Sequence, residues 1–150
     1  MSELSVDGIL AANRYLVLGT ADADGTPWAT PVFFAPLGDD RVCWVSSPSS
    51  RHSRNIAARA QIAITVFDSS VAVGSAEAAY FDAVAVAAPD APSALEALNA
   101  RLPSGKELTP EDLEPAGPLV AYAAELQRRY VLVRGSSPHS THAFDTTVEI

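Results

Sequence analysis

The chain of 150 residues has one cysteine, Cys43, and one lysine, Lys106, beside nine arginines. A single cysteine excludes an intramolecular disulfide and a multi-cysteine metal site, and it suits a reducing compartment. Long hydrophobic runs are also missing: the longest, Ala83 to Ala88 and Leu119 to Ala124, have six residues each, whereas a membrane helix needs about 20. The first eight residues hold two acids, and no basic residue comes before Arg14, unlike the basic start of a secretory signal. No Gly-x-Ser-x-Gly elbow, Walker motif or dinucleotide fingerprint occurs, so no catalytic side chain is assigned by motif. The expectation is a soluble, cytoplasmic protein without a membrane partner.

What is present is ordinary globular material, with 48% hydrophobic residues, inflated by 27 alanines, and 19% charged residues. At this length one domain spanning 1–150 is expected, burying roughly 70% of the surface that the unfolded chain exposes. The net charge of −8 repels phosphate backbones, which argues against a nucleic-acid partner.

Val6, Ile9, Leu10 and Asn13 share one face at helical spacing, which predicts a helix over 4–13 with Ser2 or Ser5 as cap. Tyr15 to Ala21 is β-rich and precedes Asp22-Ala-Asp-Gly25, a hairpin signal; a strand returning from Trp28 to Ala35 is expected. Pro27 and Pro31 lack amide donors and require an edge or a bulge there. Arg41 to Ser46 reads as a third strand, Arg51 to Arg59 as a helix capped by Ser50 or Ser53, and Gln61 to Phe67 as a strand. Residues 71 to 87 read as one long or two short strands. Six of eleven prolines fall between Pro89 and Pro118, so that region is expected to be a helical and looped insertion, with Leu95, Leu98 and Leu102 on one stripe. Tyr130 to Arg134 and Thr141 to Ile150 are expected as final strands. The sum is a mainly β (α+β) fold built on a small six-stranded antiparallel barrel with short flanking helices.

Charge is segregated along the chain. Between Asp40 and Asp68 there are four arginines, Arg41, Arg51, Arg54 and Arg59, with His52 and no acid; the rest carries six basic and eighteen acidic residues. A −12 body thus carries a +4 window, which concentrates positive potential in one place. Ser46, Ser47, Ser49, Ser50 and Ser53 surround two of those arginines at a predicted helix start. Free amides, hydroxyls and a guanidinium fork are what a phosphate monoester needs. A solvated serine-rich loop ahead of a basic helix face would give the same local pattern.

These residues resemble the flavin-binding split barrels related to pyridoxamine 5'-phosphate oxidase. The resemblance runs through Gly25-Thr-Pro-Trp-Ala-Thr-Pro-Val-Phe-Phe34, Trp44 to Ile56 with its Ser50-Arg51-His52, and Ala60 to Phe67. It implies a split barrel that binds FMN: Arg51 and His52 with Ser46 and Ser47 on the phosphate, Val45 and Ser46 lining the cofactor, and Thr30, Pro31, Val32 and Phe33 passing the isoalloxazine ring. It also implies a homodimer with the cofactor between subunits, and an oxidoreductase acting on a small-molecule substrate. This chain departs from the oxidase proper in having Thr30 and Ala35 where two cations stand, His52 in place of lysine, and no C-terminal Arg-x-His pattern. Pyridoxamine phosphate itself is therefore disfavoured as substrate. A deazaflavin-dependent reductase and a non-catalytic flavin-binding or storage protein are the alternatives.

Other candidates are weaker. His139 and His142 lack a completing ligand set, so no metal site is expected. Cys43, on a predicted strand without an activating base, reads as packing. Tyr15, Trp28, Phe33, Phe34 and Trp44 read mostly as barrel core, with Trp28 or Phe33 available to a planar ring.

Overall fold

Burial alternates along β1 (Tyr15–Ala21): Leu16 and Leu18 are fully buried while Tyr15 stands in solvent. One face of the sheet is thereby set inward and the other outward. The computed structural model describes residues 5–87, 90–113, 117–135 and 144–150. A short helix α1 (Val6–Ala12), capped by the Ser5 hydroxyl, precedes β1. Then come β2 (Pro27–Phe33), β3 (Ala35–Pro36), β4 (Arg41–Ser46), helix α2 (Arg51–Ala58), β5 (Gln61–Phe67) and β6 (Ala78–Ala87). Helix α3 (Ala91–Asn99), a 3-10 turn (Pro110–Leu113), β7 (Val120–Val133) and β8 (Thr146–Glu149) complete the order.

All strand pairs are antiparallel, in the order β2-β1-β5-β6-β7-β4-β3, with β8 added to β7. The two ends of this order, β2 and β3, are consecutive in the chain and separated only by Phe34. The sheet must therefore curl until its ends meet at that residue, which makes it a barrel split along the line where β2 turns away from β4. Pro27 and Pro31 lie on β2, the end strand, where a missing amide breaks no ladder, as their sequence required.

Inside the curl sit Leu16, Leu18, Val32, Phe34, Trp44, Ile64, Val66, Phe81 and Val131. Trp44 stacks on Tyr122, with ring centroids 5.9 Å apart. A second core lies outside, where Ala94 and the fully buried Leu98 of α3 cover Ala35, Cys43, Ala121 and Ala123. The inserted segment is thus a helical pad on the outer face of β3, β4 and β7, and no strand occurs among its described residues.

Three expectations need correction. The sheet has eight strands rather than six, the segment around Phe34 breaking into β2 and β3, and β7 is far longer than the expected Tyr130 to Arg134. Its alanine-rich first half, poor in intrinsic β preference, is held as strand by pairing with β4 on one side and β6 on the other. Residues 71–77 form turns instead of strand: Gly74 adopts φ +90° and the Ser75 amide bonds the Ala72 carbonyl, so β6 starts only at Ala78. Tyr15 and Trp28 are not core, being 62% and 39% exposed.

Candidate functional site

Helix α2 begins four residues after β4 ends, and serines determine how. Ser50 is the cap: its Oγ accepts from the Ser53 amide at 3.3 Å and lies 2.7 Å from the Ser53 hydroxyl, while its own amide bonds the Ser47 carbonyl. The cap satisfies the third amide of the helix. The amides of Arg51 and His52, the first two, have no acceptor within the helix.

The helix is fixed on the β1–β2 hairpin by polar contacts. Asn55 Nδ2 donates to Thr20 Oγ1 at 3.0 Å, both groups being buried, and Arg59 donates to the Ala23 carbonyl. Ile56 adds an apolar contact with the interior core. This orientation leaves the helix start open beside β2.

At that start, Ser46 and His52 meet. Ser46, at the end of β4, is buried, and its Oγ is 2.7 Å from His52 Nε2; Ser50 Oγ lies 3.4 Å from the same nitrogen. Burial holds the His52 pKa below its ordinary value, so the ring is neutral at neutral pH. Arg51 is exposed, and its guanidinium stacks over the Trp28 ring, 4.1 Å from the centroid. Ser47 and Ser49 pair through their hydroxyls at 2.9 Å on the loop between.

The structure brings Ser46, Ser47, Arg51 and His52 together but divides the remaining expected residues between two faces. Val32 points into the barrel core, and Thr30 shares its face of β2. Pro31 is exposed on the other face, and Phe33 and Val45 pack against the outer core under α3. Phe33 also makes an edge contact with Tyr15 at 6.2 Å.

Beside this cluster a groove of about 990 Å³ crosses the outer face of the sheet. Pro27, Trp28 and Ala29 form one wall, Gly19 and Ala63 part of the floor, and Gln61, Asp82, Gln127 and Arg128 the far end. Its polar residues escaped the sequence reading. The available signals were an acid, Asp82, inside an otherwise apolar strand, and a glycine, Gly19, inside β1.

Cys43 is fully buried and desolvation raises its pKa to about 11, so it packs rather than reacts. His139 and His142 lie outside the described residues. Among the described residues no group of three metal-ligating side chains exists, and no helix is long and apolar enough to cross a membrane.

The sequence model of the family described as Pyridoxamine 5'-phosphate oxidase matches residues 5–131. No protein of curated function matches. Among solved structures, a heme binding protein from Mycobacterium smegmatis is 17% identical with a TM-score of 0.72, over 99% of this chain and 58% of that one. This chain thus spans little more than half of that relative's length. HutZ, the heme storage protein from Vibrio cholerae, is 18% identical at TM-score 0.63 over 81% of this chain and 87% of its own. A FAD-binding protein from Mesorhizobium loti is 19% identical at TM-score 0.61, covering 82% and 88%. Such identities establish a shared fold.

Proposed function

We propose that this chain, which belongs to the pyridoxamine 5'-phosphate oxidase family, is an FMN-dependent oxidoreductase whose cofactor phosphate docks at the start of α2. The observation that carries this reading is the donor set there: two amides without helical acceptors, the Ser47 and Ser49 hydroxyls, and the exposed Arg51 guanidinium in an acid-free stretch. One formal cation fits a single phosphate monoester better than the polyanionic tail of a deazaflavin.

His52 contributes as a neutral hydrogen-bonding side chain that orients Ser46, since burial disfavours its cation. Thr30, Pro31, Val32 and Phe33 would pass the ring, and Val45 and Ser46 would border it. FMN, when bound, accepts and passes on a pair of electrons as hydride. The residues of this chain bind the phosphate, set the helix start and shape the ring's surroundings. The exposed outer face bearing Tyr15, Pro31 and Phe67 is compatible with a homodimer in which a second copy covers the cofactor. The cytoplasm is the compartment that the lone buried thiol suits.

A second reading is a non-catalytic cofactor carrier, such as a heme binder or a flavin store. It is favoured by the superposition of 99% of the chain on a heme binding protein, and by a neutral His52, the form an iron ligand requires. The absorption spectrum of purified protein, followed by titration with FMN and with hemin, separates the two. A flavin spectrum with saturable FMN uptake supports the first reading. A Soret band with no FMN uptake rejects it.

A further inference from the structure

We propose that Trp28 is a positioning residue for the phosphate site: its ring holds the Arg51 guanidinium flat, so that an ordered N–H edge, rather than a mobile charge, is presented to the phosphate. The inference rests on the docking of a phosphate at the start of α2, and it goes further by giving a role to a residue that touches no phosphate itself. Trp28 lies on the face of β2 that carries Thr30 and Val32, and its register partner on β1 is Thr20. That pair is the last rung of this face before the hairpin, beyond the core residues Leu16, Leu18 and Val32.

Helix α2 grips the rung at two successive turns. Asn55 Nδ2 donates to Thr20 Oγ1 at 3.0 Å, and one turn earlier the Arg51 guanidinium covers Trp28, 4.1 Å from the ring centroid. Residues four apart share a helix face, so the Asn55 contact fixes where the Arg51 backbone stands and the indole fixes where its head lies. Thr20 Oγ1 in turn donates to the Trp28 carbonyl at 3.4 Å, which ties the two halves of the rung together.

The stack leaves the useful surface free. Every N–H of a guanidinium lies in its plane, so a ring against the flat face consumes no donor. Among the described residues no hydrogen bond or ion pair occupies the Arg51 edge. His52 beside it is neutral and bound to Ser46, so charge attraction at the helix start depends on Arg51. A free arginine chain would have to be ordered by the phosphate as it binds, whereas here the indole has ordered it beforehand.

The test compares FMN with riboflavin, which lacks the phosphate, so that the ratio of the two affinities isolates the phosphate from the ring contacts. Trp28→Leu is expected to lower that ratio about fivefold, the size of a cation–π contact. Trp28→Phe keeps an aromatic face and should restore most of it, and in an Arg51→Gln background Trp28→Leu should have no further effect. Melting curves confirm that each variant folds. A ratio unchanged in Trp28→Leu, or lowered equally in the Arg51→Gln background, overturns the inference and leaves the FMN reading standing. A native ratio near unity rejects the phosphate docking and the inference with it. Should neither flavin bind, the FMN reading fails, and inorganic phosphate titrated at constant ionic strength, followed by the arginine Nε–H signals in nuclear magnetic resonance, decides the inference. A saturable shift of the Arg51 signal that weakens about fivefold in Trp28→Leu supports it; no shift, or equal affinity in the two proteins, overturns it.

Discussion

The guanidinium of Arg101 lies over the ring of Phe34, 4.9 Å from its centroid, and donates to the Phe34 carbonyl at 2.5 Å. The same side chain reaches the carbonyls of Leu10 and Ala11 at 3.3 Å and that of Asn13. One residue just past α3 thus satisfies the carbonyls at the end of α1 and fastens the corner at which the barrel closes. Desolvation and the nearby Arg14 charge lower its pKa, a sign that the cation is held by dipoles rather than by a carboxylate.

Arg101→Met keeps the apolar stem and removes every one of these bonds. The expected loss is about 1–3 kcal/mol of stability, read from urea unfolding. Arg101→Lys is expected to restore only part, because one ammonium cannot reach as many carbonyls as a planar fork. Unchanged unfolding midpoints in both variants would show that the corner holds without it.

At the proposed phosphate cluster, if FMN docks there, Arg51→Ala is expected to weaken FMN binding by roughly tenfold to 150-fold, corresponding to about 1.5–3 kcal/mol for a charged contact. Calorimetric titration measures it. Arg54→Ala, an exposed helix residue with no polar contact among the described residues, is the control and should stay within twofold.

The pH response of stability follows from His52. Its folded pKa lies below the ordinary 6.5 because burial penalises the cation. Over the interval from 6.5 down to the folded value the unfolded chain binds the extra proton, so stability is untouched above 6.5, falls through that interval, and levels off below it. Thermal melts from neutral to mildly acidic pH should show this component in the native chain and lose it in His52→Gln. Parallel curves for the two proteins would contradict the assignment.

Cys43 offers a chemical check of the outer core. With its thiol buried and its pKa near 11, it should resist a disulfide reagent at mildly alkaline pH in the folded chain. It should react at once in denaturant. Rapid modification of the native protein would mean that α3 lifts from the sheet.

Much of this architecture was legible in the sequence because local chemistry and global fold agree. Asp22 to Gly25 turns the first hairpin, with Gly25 at φ +87° and Asp22 accepting from the amides of Asp24 and Thr26. Ser50 caps α2, and the Arg51 to Ala58 helix ends within a residue of its expected limit. What escaped was non-local. The first half of β7 is strand because two neighbours pair with it, a fact that its alanines do not announce. Tyr15 and Trp28 looked like core by residue type, but alternation turns Tyr15 outward, and Trp28, on the Val32 face of β2, is left 39% exposed by its place near the strand's start. The serine, arginine and histidine cluster was visible since all of it falls within eight residues. The groove draws on β1, β2, β5, β6 and β7, and only the curl of the sheet assembles it.

That curl also bears on how the protein behaves in a crowded solution. Open sheets expose ladders onto which another chain can add, but here the two terminal strands of the order are one continuous piece bent at Phe34. The free side of β2 carries Pro27 and Pro31, which cannot donate, and β8 is four residues long and ends in Glu149. Short, charged or proline-bearing edges are poor templates for aggregation, so the residues at the open strands guard the chain against edge-to-edge association.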